Sequence, residues 1–135
     1  MHMIAAVNWL SVFVAALVSF VIGGLWYGPL FSKPWMAASG MSHEKGKRGN
    51  KPLIFGGAFV LNLVAAIGIA ILLGANRSVL LGIHTGLFSS LFFVATSLGV
   101  IYLFEMQPLK LWLINAGYQV VTFSVMGAVI GAWPL

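Results

Sequence analysis

Four long apolar runs, separated by three polar breaks, set the terms for what this chain can fold into. Each run approaches or exceeds the roughly 20 residues that a helix, rising ~1.5 Å per residue, needs to cross a ~30 Å hydrocarbon slab. No aqueous core of a 135-residue chain takes up that much apolar surface, and only 7% of the residues are charged, against about 25% in soluble domains. The expected fold class is an all-α integral membrane protein: an antiparallel four-helix transmembrane bundle forming one membrane domain over 1–135. Spans are expected at about 4–27, 52–74, 79–104 and 109–133, with a basic loop at 28–51.

The breaks supply the punctuation. Pro29 and Pro34 in "YGPLFSKPW" are expected to stop the first span, because proline has no backbone donor and clashes with the preceding turn. "SGMSHEKGKRGNK" combines Lys45, Lys47, Arg48 and Lys51 with glycines and is expected to be a solvated, mobile connection. Ahead of it, "SKPWMAASG" suits a short interfacial helix, with Ser32 near the cap, Pro34 in the first turn and Gly40 at the exit. The turns "ANRS" and "EMQP" are short, which forces sequential spans to run antiparallel.

Short loops rich in Lys and Arg stay cytoplasmic. Lys33, Lys45, Lys47, Arg48, Lys51 and Lys110 fall on one side and Arg77 on the other. The loop 28–51 and the "EMQPLK" turn are therefore expected in the cytoplasm, with the N- and C-termini on the outer side. Trp26, Trp35 and Trp112 gather at the inner boundary and Trp9 and Trp133 toward the outer one, as interface anchors do. The net charge of +5 follows from this topology. No basic face with interleaved aromatics points to nucleic acid, so the expected partners are membrane lipids. The first run has no preceding Lys or Arg and no small-residue cleavage site, so it is expected to be a retained span. The absence of Cys excludes disulfides, thiolate catalysis and Cys-ligated metal.

Polar residues inside the spans are the candidate site. At ~1.5 Å per residue, Asn62 and Gln119 fall near the midplane and can face each other; Asn8 and His84 share an outer layer, and Asn115 an inner one with Thr96 or Ser97. Asn115, Tyr118, Gln119, Thr122 and Met126 follow i, i+3, i+4 spacing and so line one face of the last span. An amide left unpaired in hydrocarbon costs several kcal/mol, on the order of 2–7. That face should therefore point to protein, either as interhelical glue worth about 0.6 and up to ~2 kcal/mol per bond, or as the lining of a path for an ion or small polar solute.

Small residues recur every fourth position: Ala15, Ser19, Gly23; Ala58, Asn62, Ala66, Ala70, Gly74; Gly82, Gly86, Ser90; Gly127, Gly131. Such stripes let helices approach closely and suggest a homo-oligomer, unless all of them serve contacts within one chain. The membrane interior holds no Asp, Glu, Lys or Arg, which disfavours the proton-coupled exporters that work through an intramembrane carboxylate. His84 is the one imidazole embedded in a span, at a shallow depth, and a neutral ring bonded to a backbone carbonyl or to Asn8 is its plain reading. His2, His43 and His84 are too scattered for a metal site, no cofactor motif occurs, and no nucleophile–base pair points to an enzyme.

At "NWL" (8–10), "GGLWYGPLFSKPW" (23–35) and "LFEMQPLKLWLINAGYQVVTFSVMGAVIGAW" (103–133), the chain resembles the small four-span membrane proteins grouped as domain of unknown function 1761. The resemblance covers essentially the whole chain. Its members commonly carry Asp at the opening of the last span, where this chain has Asn115. The resemblance implies an integral protein of a bacterial inner membrane and supplies no activity. Two function classes remain. In one, a self-associating bundle passes or binds an ion or small polar solute through Asn8, Asn62, Asn115, Tyr118 and Gln119. In the other, a non-transporting structural or accessory protein uses its buried amides to join helices and its apolar grooves to hold lipid or a partner.

Overall fold

The computed structural model describes residues 7–75 and 77–134, and of His43 and Gly46 the backbone alone. Helix is the only regular structure among them. We number the helices α1 (Trp9–Leu30), α2 (Ser32–Ser39), α3 (His43–Arg48), α4 (Lys51–Leu73), α5 (Val79–Phe104) and α6 (Leu109–Ala132). Four of them, α1, α4, α5 and α6, are long and apolar enough to cross a membrane. Three of these four begin at a side-chain cap that satisfies an otherwise orphaned amide: Asn8, Asn50 and Ser78 accept from the N–H groups of Ser11, Leu53 and Leu81. The expected start of the first span at residue 4 lies outside the described residues.

Pro29 does not stop α1. The helix is α-helical over Trp9–Leu25 and continues as a π-helical turn, Trp26–Leu30, in which the Phe31 N–H donates to the Trp26 carbonyl at 2.8 Å. Widening the turn absorbs the missing donor and the steric bulk of the proline ring, so the chain keeps its course for one more turn. The segment expected as a basic loop is also partly helical. α2 forms where "SKPWMAASG" suggested, and Gly40 ends it at φ 77°, a left-handed conformation that glycine adopts without a Cβ clash. Downstream, α3 forms inside the stretch expected to be a solvated, mobile connection. Glu44 in its first turn and Lys45, Lys47 and Arg48 in its last complement the helix dipole.

The tightest seam joins α5 to α6. A Cβ at Gly82 would coincide with the Gly127 carbonyl, one at Gly86 with the Phe123 carbonyl, and one at Gly131 with the Ser78 carbonyl. Backbone lies on backbone there, which only glycine permits. The apolar core sits between α1, α4 and α6, built from Val12, Ala15, Ala66, Ile69, Ala70, Leu73, Met126 and Ile130. Many of the largest apolar side chains face away from it: Leu61, Leu103 and Phe104 are 71%, 79% and 86% exposed. A surface of that kind is a liability in water and the natural complement of acyl chains.

Candidate functional site

The end of the bundle that carries α2 and α3 is tied by aromatic and amide side chains. Asn115, in the first two turns of α6, accepts from the Tyr27 hydroxyl at 2.6 Å and donates to the Tyr102 hydroxyl at 2.9 Å. One carboxamide therefore links α1, α5 and α6. Two indoles reinforce it: Trp26 Nε1 donates to the Ile114 carbonyl at 3.0 Å, and Trp112 Nε1 to the Ala95 carbonyl at 2.8 Å. Ala95 closes a second π-helical turn, Ser90–Ala95, so each indole tie meets a π turn, one at its donor and one at its acceptor. Gly117 and Gly99 leave room for these rings; a Cβ at either would stand 3.2 Å from Trp26 or Trp112. Tyr27 packs edge-on against both Trp35 and Tyr118, with ring centroids 5.4 and 5.2 Å away.

Beside this knot α1 and α4 part to leave a cavity of about 500 Å³. Phe20, Gly23, Gly24, Tyr27 and Gly28 line it from α1, Ile54, Phe55, Ala58 and Asn62 from α4, and Tyr118 from α6. The α1–α4 seam is closed next to it by Phe59, whose ring centroid lies 5.6 Å from those of Phe13 and Phe20. The glycines differ in what they face. A Cβ on Gly23 would stand 3.3 Å from the Tyr118 hydroxyl, whereas one on Gly24 or Gly28 would meet nothing within 4 Å. A side chain at 23 would crowd the Tyr118 ring, whereas at 24 and 28 there is room for one, and its absence there keeps the cavity open.

Polarity inside the cavity is sparse. The Tyr27 hydroxyl is committed to Asn115. The Tyr118 hydroxyl reaches only the Ser19 carbonyl, at 3.5 Å, the limit of a hydrogen bond. The half-buried Asn62 amide makes no hydrogen bond among the described residues, although it is the central residue of α4.

Several expected pairings take another form. No hydrogen bond joins Asn62 to Gln119 among the described residues, and Gln119, also half-buried, does not line the cavity. Asn8 caps α1 instead of meeting His84, which is exposed on α5 in a shallow outward dent with Thr85, Phe88 and Ser89. Thr96 and Ser97 donate to carbonyls of their own helix, those of Phe92 and Phe93, leaving Asn115 to the tyrosines. Thr122 is fully buried, and its hydroxyl has no partner among the described residues. Trp26 and Trp112 are interhelical ties as well as boundary residues; Trp9 is exposed, and Trp35 and Trp133 are half-buried. Sequence reasoning missed Tyr27 and Tyr102 as amide partners and Phe20, Gly24, Gly28 and Phe55 as cavity walls. The signals were present in the Gly-Gly-x-x-x-Gly spacing of 23–28 and in two phenols at the same boundary as Asn115.

The geometry has a counterpart among known sequences. The family described as "Protein of unknown function (DUF1761)" matches residues 10–131, a stretch that holds the aromatic knot, both π turns and every wall of the cavity. Neither a curated protein nor a solved structure matches the chain. The match spans nearly the whole sequence, and this four-span chain belongs to the DUF1761 family.

Proposed function

We propose that this protein is a non-transporting binding protein of a bacterial inner membrane, an antiparallel bundle that holds a lipid-phase molecule in the α1–α4 cleft. One observation carries this reading: Gly24 and Gly28 face open space and not a neighbouring helix. The aromatic and aliphatic wall opposite suits an apolar occupant arriving from the bilayer. Several of the polar groups that a conduit would use are engaged elsewhere. Asn115 is engaged on both its oxygen and its nitrogen by tyrosines, Asn8 caps a helix, and the hydroxyls of Ser11, Ser19, Thr96 and Ser97 donate to carbonyls three or four residues earlier in the chain. Most of the small residues in the stripes, Ala15, Ser19, Ala66, Ala70, Gly82, Gly86, Gly127 and Gly131 among them, are packed inside the chain and so do not require a second copy. The distribution of Lys and Arg supports an orientation with α2 and α3 in the cytoplasm and both termini outside.

The test is to purify the protein in mild detergent and measure retained hydrophobic molecules by native mass spectrometry. Wild type should retain a molecule that Gly24→Leu loses, with the melting temperature little changed, because a Cβ at 24 meets nothing within 4 Å and the rest of the side chain has the cavity to occupy. An unchanged complement of bound molecules in Gly24→Leu would contradict the proposal. So would proteoliposome flux of an ion or polar solute that Gly24→Leu blocks.

A further inference from the structure

We infer that the occupant of the α1–α4 cleft carries a flat ring bearing carbonyl oxygen, a quinone-type head, and that Asn62 is the side chain that recognises it. This rests on the cleft being a site for a lipid-phase molecule and names the chemistry of that molecule. Depth is the first argument. Asn62 lies eleven residues into α4 from Lys51, roughly 16 Å along the helix axis, which is the middle of the hydrocarbon and beyond the reach of phospholipid headgroups. An amide there with no protein partner is uncompensated. A lipid-soluble molecule that brings a hydrogen-bond acceptor to the midplane supplies what a plain acyl chain cannot.

Shape is the second. The walls offer aromatic rings, Phe55 of α4 and Tyr118 of α6, across from a strip of α1 backbone left bare at Gly24 and Gly28, with Phe20 one turn along α1 from that strip. Flat rings stack on such faces, and the bare backbone lets a planar group lie close. A cavity of about 500 Å³ holds a substituted ring and the first part of a tail, whose remainder leaves through the open side toward the bilayer. The Tyr118 hydroxyl, held only by its 3.5 Å contact with the Ser19 carbonyl, is a second donor, lining the cavity from α6.

The probe is a decyl-substituted benzoquinone, titrated against the purified protein in detergent micelles by quenching of tryptophan fluorescence. Decylbenzene, which has the ring and tail but no oxygen, is the competitor. Wild type should bind the quinone saturably and roughly ten-fold more tightly than decylbenzene, the equivalent of one hydrogen bond to an otherwise unpaired group. Asn62→Leu should erase that preference while leaving decylbenzene binding and the melting temperature as they were. Tyr118→Phe should weaken the quinone a few-fold, and Gly24→Leu should remove both ligands. Equal affinity for quinone and decylbenzene in wild type, unchanged in Asn62→Leu, would overturn carbonyl recognition and leave the cleft standing. Failure of either ligand to saturate, with no effect of Gly24→Leu, would instead remove the cleft itself.

Discussion

At the scale of single residues, the same chemistry has opposite consequences according to where its partner lies. The Asn115 amide is bonded on both sides, to Tyr27 and Tyr102. Asn115→Leu removes both bonds and strands two phenols, so it should cost about 1–3 kcal/mol of stability, read as a lower melting temperature in detergent. Thr122 is the converse, a buried hydroxyl with no partner among the described residues. Thr122→Val keeps the shape and deletes the hydroxyl, so the melting temperature should hold or rise; a clear fall would mean that the hydroxyl is bonded after all. Depth was legible in the sequence, which is why Asn115 was expected in an inner layer. Its partners were not, because height along a helix says nothing about azimuth. Thr96 and Ser97 stand within reach in the chain but can bond their own helix, whereas a phenol at the end of a long ring can cross to a neighbour.

At the scale of helices, the apolar lengths were legible from hydropathy and the breaks in regularity were not. The third span was expected at 79–104 and α5 runs Val79–Phe104; the second and fourth shift by about one residue. The first ran past its expected end because a proline that stops an isolated helix can be absorbed by a π turn when tertiary ties hold the turn, here Trp26 to Ile114 and Tyr27 to Asn115. Glycines show the same dependence on surroundings. Gly82→Ala drives a methyl into the Gly127 carbonyl and should cost about 1–3 kcal/mol as α5 and α6 separate. Gly24→Ala meets nothing within 4 Å and should be neutral or stabilising by up to ~1 kcal/mol through helix propensity. Thermal melts of the two variants side by side check the contrast; equal losses would mean that Gly24 also lies against a helix.

At the scale of the whole molecule, the chain divides into a sealed seam, α5 on α6, and an open one, α1 against α4. Glycine spacing marked both helices of the sealed seam as able to approach closely, but it did not say whether their partner was each other or a second copy. The cleft was not readable from spacing, because Ala58 and Asn62 continue a small-residue stripe whose later members, Ala66 and Ala70, are fully buried. Spacing cannot tell a packed stripe from one that borders a void. Orientation remains a whole-molecule prediction. Single cysteines introduced as Ser42→Cys and Ala75→Cys in a chain that has none should react with an impermeant maleimide from the cytoplasmic and the outer side, respectively. The reverse labelling would invert the topology. The central claim, that the cleft opens to lipid and is not part of a water-filled path, is tested most directly by a nitroxide attached through Ala58→Cys in a bilayer. Power-saturation measurements should give high collision with oxygen, which concentrates in hydrocarbon, and little with a water-soluble nickel chelate. Dominant collision with the chelate would contradict the account.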